Sequence, residues 1–130
     1  MQQNLNTMQS QHITITRPQY FIPPYEWWND TIAAWSKQLG LKLFCFTPGI
    51  KTNADYTYSE MGTPYKSSEW ILQSLKNQFN QNKNVFNGAI ILIHAGTDKR
   101  RKDKLYNRLD ELIDWLKMNG YSFKRIDELL

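Results

Sequence analysis

Gly88-Ala89-Ile90-Ile91-Leu92-Ile93-His94-Ala95-Gly96-Thr97 is the stretch on which the reading of the fold turns. Five consecutive apolar residues, bounded by Asn87-Gly88 and by polar loop chemistry, fit a buried strand covered on both faces. The run ends on a histidine. Polar groups at the ends of buried strands are where α/β proteins build pockets, so any chemistry in this chain is organised around His94. His12, the other histidine, lies in a polar leader.

Outward from that run, apolar stretches alternate with long amphipathic ones. Upstream, Ser67 or Ser68 caps a helix with Trp70, Ile71, Leu72, Leu75 and Phe79 along a mostly one-sided stripe. The segment from Lys51 to Tyr65 is polar and tyrosine-bearing, and reads as a surface loop of the kind that supplies binding residues. Leu41 to Phe46 is a short strand candidate that Thr47-Pro48-Gly49 must turn. Before it, Asn29 or Asp30 caps a helix carrying Ile32, Ala33, Trp35 and Leu39, closed by Gly40. Ile13 to Tyr20 alternates weakly. Downstream, Leu105, Leu109, Leu112, Ile113 and Leu116 have helical spacing up to Asn119-Gly120, and Tyr121 to Ile126 begins a last short strand. Strand and helix alternating in this order predict an α/β fold with right-handed crossovers and a parallel sheet.

Composition narrows the classes. With 130 residues, 41% of them hydrophobic, the chain suffices for one domain with a core, and is short for a closed parallel barrel. The net charge of +4 is spread over the helical stretches. Its one cluster, Lys99-Arg100-Arg101-Lys102, reads as a solvated loop, so no nucleic-acid partner is expected. Cys45, the only cysteine, reads as a small core residue, which excludes a disulfide framework and a cysteine metal site. No run approaches membrane-spanning length and no signal-peptide pattern opens the chain, so no membrane partner is expected and the chain as given reads as cytoplasmic or as cut from a longer one.

Several motifs, in order, resemble a known family. Phe21-Ile22-Pro23-Pro24-Tyr25, then Ile91-Leu92-Ile93-His94, then Leu116-Lys117-Met118-Asn119-Gly120-Tyr121-Ser122-Phe123 are similar to the C-terminal half of the polysaccharide deacetylases, metal-dependent carbohydrate esterases. More narrowly, Tyr25-Glu26-Trp27-Trp28-Asn29, Phe46-Thr47-Pro48-Gly49, Asn53-Ala54-Asp55-Tyr56-Thr57 and His94-Ala95-Gly96-Thr97 with Asp103-Lys104 and Tyr106 resemble a Bacteroidetes-type branch of that family. The resemblance implies an irregular seven-stranded (β/α) barrel, of which this chain supplies about four strands. It divides the chain into a polar leader over 1–18, read as the end of a preceding helix, and the C-terminal part of a deacetylase-like domain over 19–130.

The same resemblance implies a chemistry. In the intact enzyme a divalent metal, zinc or similar, polarises the acetyl carbonyl; the metal triad and catalytic base belong to an N-terminal half with no counterpart here, so no metal ligand and no cofactor is expected in this chain. His94 matches the general acid that protonates the leaving sugar amine, a task that suits an imidazole titrating near neutrality. Tyr25, after two prolines, matches the backbone donor to the oxyanion. Leu92 matches the wall of the acetyl-methyl pocket; Trp27 or Trp28 stacks on a sugar ring, and Asp55-Tyr56 is a loose match to a substrate-facing pair. Ile22 stands where the family commonly has arginine, a role that Arg17 or Arg101 takes over from another loop. Asp103 either tethers the loop beyond His94 or caps a helix. The expected partners are an acetylated carbohydrate and the missing half of the domain, with self-association through uncovered sheet edges. Two other readings compete. His94 as a satisfied strand-end histidine and the tryptophans as core would leave a structural remnant of the fold; Tyr20, Tyr25, Trp27, Tyr56 and Tyr58 as stacking platforms would make a non-catalytic carbohydrate-binding module.

Overall fold

The computed structural model describes residues 2–12 and 20–129. They form two compact units, Met1–Cys45 and Phe46–Leu130. The weak alternation expected from Ile13 to Tyr20, and Arg17 with it, lies outside the described residues apart from Tyr20 itself.

In the first unit, helix α1 spans Gln2–Ser10, within the stretch read as leader. Strand β1, Tyr20–Phe21, pairs in parallel with β2, Lys42–Leu43, and helix α2, Asp30–Gln38, lies between them in sequence. Asn29 caps α2 as its sequence demands, its side chain accepting the Ile32 N–H at 3.0 Å. Gly40, at φ 69°, closes it: Leu41 N–H reaches back to the Ser36 carbonyl and Gly40 N–H to that of Lys37. That double reach is a Schellman ending, which needs a left-handed residue at the turn. Pro23, which has no N–H to give a ladder, stands just past the end of β1.

The second unit is built on helices α3, Ser68–Gln81, and α4, Leu109–Met118. Ser67 accepts the Trp70 N–H at 3.1 Å and starts α3. Ile71, Leu72, Leu75 and Phe79 recur on one face of it and are buried against Leu112 and Leu116 of α4, with Ile50, Phe86 and Leu105 closing the core from loops. Trp115 meets the rings of Phe79 and Phe86 edge-on, and Tyr121 meets Phe79 edge-on and Phe86 at a tilt, with centroids 5.5–6.4 Å apart. Gly120 ends α4 as Gly40 ends α2, with Tyr121 N–H on the Leu116 carbonyl. A short helix α5, Ile126–Leu129, follows. Among the described residues no helix is long and apolar enough to cross a membrane.

The expected α/β barrel segment of about four strands is not what forms. Among the described residues about 50% are helical and 3% strand, and the one sheet is the two-residue β1–β2 pair. The run Ala89–His94 has no regular secondary structure and joins no ladder. Thr47 explains why at one end: its N–H donates to the Ile90 carbonyl at 2.9 Å, but its own hydroxyl accepts the Ile90 N–H at 2.9 Å, so a side chain takes the place of the next rung. Asp55 takes the His94 N–H at the other end. Among the described residues no backbone hydrogen bond reaches Ile91, Leu92 or Ile93. The strand expected over Leu41 to Phe46 shrinks to Lys42–Leu43, and Tyr121 to Ile126 is irregular chain leading into α5. The segment read as a surface loop is instead folded into two 3-10 turns, Lys51–Tyr56 and Ser59–Met61, that bury Thr52, Asp55 and Thr57.

Leu116 is 3% exposed and Leu109, in the same expected stripe, is 38% exposed. Leu116→Ala is therefore expected to cost about 2–5 kcal/mol and Leu109→Ala less than about 1 kcal/mol. Urea denaturation of both variants checks the register of α4; equal losses would overturn it.

Candidate active site

Asp55 closes the 3-10 turn Lys51–Tyr56 with its carboxylate fully buried. Both oxygens grip one residue, 39 positions on. Oδ2 accepts the His94 backbone N–H at 2.8 Å, and Oδ1 lies 2.6 Å from His94 Nδ1. An ionised carboxylate only accepts, so Nδ1 carries the proton and Nε2 is the nitrogen that is left for other chemistry. Among the described residues no hydrogen bond engages Nε2, and the imidazole side chain is 34% exposed. Tyr56 meets the ring edge-on, centroids 5.9 Å apart. A buried acceptor that fixes the tautomer, with a partly open ring in front of it, is the geometry of an acid–base pair. Thr52, one turn before Asp55, carries a buried hydroxyl with no hydrogen-bond partner among the described residues.

The segment after His94 is tied down by two cations. Lys104 Nζ donates to the Thr97 carbonyl and hydroxyl, both at 2.9 Å, and to the Asp98 carbonyl. Arg101 has no exposed side-chain surface. Its Nη1 donates to the carbonyls of Thr57, at 2.6 Å, and Lys66, at 3.1 Å; Nη2 donates to Ser68 Oγ and Nε to the Asp103 carbonyl, both at 3.0 Å. The basic cluster at residues 99–102 is thus not a uniformly solvated loop: Lys99, Arg100 and Lys102 are exposed and Arg101 is interior. Arg100 makes a two-point bond to Asp98 and lies over the Tyr58 ring at 3.9 Å.

Asp103 is a helix cap, but for α3 and not for the helix that follows it in sequence. Oδ2 accepts the Ser68 N–H at 2.6 Å and Oδ1 the Tyr65 hydroxyl at 3.0 Å. Burial pushes the Asp103 carboxyl up, but the Ser68 N–H, the Tyr65 hydroxyl and the Arg101 guanidinium outweigh it and hold it below the usual carboxylate range.

Of the residues expected at a site, Asp55, Tyr56 and His94 meet, with Arg101 and Asp103 supporting the neighbouring chain. Leu92 is half-buried in the run before His94. Tyr25, Trp27 and Trp28 belong to the first unit and are 94%, 62% and 50% exposed. Tyr25 and Glu26 both hold left-handed backbone, φ 57° and 55°, a strain of about 1–3 kcal/mol each. The Tyr25 amide makes no hydrogen bond among the described residues. Sequence reasoning named Ser68 only as a possible helix cap and Thr57 and Lys104 only as motif residues, and gave Tyr65 no role, since each acts on a partner through hydrogen bonds that leave no periodic signal. Among the described residues no three His, Cys, Asp or Glu side chains converge on a point that suits a metal ion. Set beside protein-family models, curated proteins and solved structures, the chain matches none of them.

A carboxyl held below its ordinary value stabilises the fold above its unfolded pKa, about 3.9, and loses that contribution as pH falls through the folded value. Asp103→Asn is expected to cost about 1 kcal/mol at pH 7, a low figure because solvent screens the partly exposed carboxylate, and the gap to the native chain should close below about pH 4. Urea melts across that pH range measure it. A gap that stays constant with pH would show that the charge contributes nothing.

Proposed function

We propose that this chain is the proton-donating part of a carbohydrate deacetylase, acting on N-acetyl or O-acetyl groups. The observation that carries the reading is the Asp55–His94 pair, one oxygen on the backbone N–H and the other 2.6 Å from Nδ1. An amide C–N bond breaks readily only when its nitrogen leaves protonated, because an amide anion is a very poor leaving group. His94, charged and held through Nδ1, offers the Nε2 proton to that nitrogen as the bond breaks, and Asp55 stabilises the imidazolium beforehand. The resemblance to polysaccharide deacetylases supports the same role for His94. Among the described residues no set of His, Cys, Asp or Glu side chains converges to hold the zinc-like ion that the resemblance implies.

A second reading has its own support. Tyr25, Trp27 and Trp28 are large rings standing in solvent within one strained turn, which suits stacking on sugar rings without catalysis. Glycan affinity that survives a chelator and is lost in Trp27→Ala, with no acetate released under any condition, would favour it.

The chain by itself is expected to release no acetate from N-acetylated chito-oligosaccharide when zinc, cobalt or nickel is added. Joined to a segment that supplies metal ligands and a base, it should do so, and His94→Ala should then lower amide turnover about 100-fold or more. Hydrolysis of 4-nitrophenyl acetate, whose leaving group needs no proton, should stay within a few-fold. Equal losses on both substrates would mean that His94 has a structural role, and no loss on either would sink the reading.

A further inference from the structure

Taking a guanidinium out of water is costly, and Arg101 meets opposite charge at one carboxylate, Asp103. Its nearest carboxylate oxygen, Asp103 Oδ2, is 3.5 Å away, while its short bonds go to neutral carbonyls and a hydroxyl. An apolar side chain of similar volume would fill the same space without that desolvation, but would leave those buried acceptors without a donor. What it would not do is join the separate pieces of chain that Arg101 joins. The guanidinium stands on the segment that follows His94, and its planar fork reaches Thr57 and Lys66 on one side and Ser68, at the start of α3, on the other.

Thr57 is the piece that matters for the pair. Its N–H and its hydroxyl both return to the Ala54 carbonyl, at 3.0 and 2.6 Å, and its hydroxyl also accepts the Lys66 N–H at 3.2 Å. Thr57 therefore locks the end of the turn in which Asp55 sits, and Arg101 locks Thr57. Asp55 in turn holds His94, and Lys104 pins Thr97 and Asp98 between His94 and Arg101. The result is a closed circuit: Asp55 to His94, along the chain to Arg101, across to Thr57, and back through Ala54 to Asp55.

We propose that Arg101 is a positioning residue for the Asp55–His94 pair, closing that circuit so that the carboxylate and the imidazole meet at one fixed geometry. This deepens the acid–base reading and rests on it for its meaning in catalysis; the geometry itself is measured without any substrate. Lysine cannot replace it, because an ammonium is a single point that does not span the carbonyls a planar fork reaches.

The test reads the His94 Nδ1 proton in the full chain, labelled at histidine with nitrogen-15 and carrying His12→Gln so that one ring is observed. The native chain should give a far-downfield, slowly exchanging Nδ1–H signal, as expected for a ring proton held by a buried carboxylate. Arg101→Lys, shown to be folded by a cooperative urea transition, should lose that signal or exchange it about tenfold faster or more. Arg108→Lys, whose side-chain bonds go to Glu69 and Glu111 and to no member of the circuit, should leave it unchanged. Should Arg101→Lys fail to fold, Thr57→Val carries the test, since it removes the hydroxyl's bonds to the Ala54 carbonyl and the Lys66 N–H while keeping Arg101; the same loss or acceleration is expected. A native signal and exchange rate in folded Arg101→Lys, or in Thr57→Val, would overturn the proposal. A pair that depends on Arg101 in this assay, while His94→Ala leaves intact the amide turnover of the chain joined to a segment that supplies metal ligands and a base, would support the positioning role and reject the acid role.

Discussion

A carboxylate with no exposed surface has to be satisfied by the protein alone, and in the second unit that demand falls on Asp55. Left unpaired, a buried charge of this kind destabilises a fold by several kcal/mol, so the chain around it is constrained to supply donors. His94 supplies two, one from its backbone and one from its ring. Much of the local architecture follows. The run Ala89–His94 is anchored by Thr47 at Ile90 and by Asp55 at His94, and both anchors use side-chain oxygens where a neighbouring strand would have used carbonyls. The same two bonds that satisfy the carboxylate also orient an imidazole.

Around that pair the helices act as a rigid frame. The apolar faces of α3 and α4 make a core that is closed by edge-on aromatic contacts and bounded by sharply defined helix ends. The ion pairs that join the helices at the surface, Arg108 with Glu69 and Glu111 and Lys76 with Glu111, are exposed enough to add little to stability. Arg101 and Asp103 are different. They join the start of α3 to the chain that follows His94, so the frame and the candidate site share their fastenings.

The first unit presents another kind of constraint. Pro23 and Pro24 restrict the backbone so strongly that the turn is made by Tyr25 and Glu26, which both take left-handed conformations. The cost is held locally and its consequence is exposure, with three large rings facing solvent in one short turn. Strain and exposed aromatics together at one place favour recognition over packing.

The sequence by itself determined whatever depends on neighbours a few residues away. Asn29 and Ser67 as caps, Gly40 and Gly120 as stops, and the apolar faces of α3 and α4 were all legible, because each rests on hydrogen bonds or periodicities within a turn or two of helix. His94 was legible as a centre from its position at the end of an apolar run. The tertiary structure alone decided that this run is not a strand, since five apolar residues state only that a segment is covered and not whether a ladder covers it. It alone decided that Asp55 stands behind His94, that Asp103 caps a helix before it in sequence, and that one arginine of a basic cluster is interior. These contacts join residues 33 to 44 positions apart, and nothing in the local pattern around either partner encodes the other.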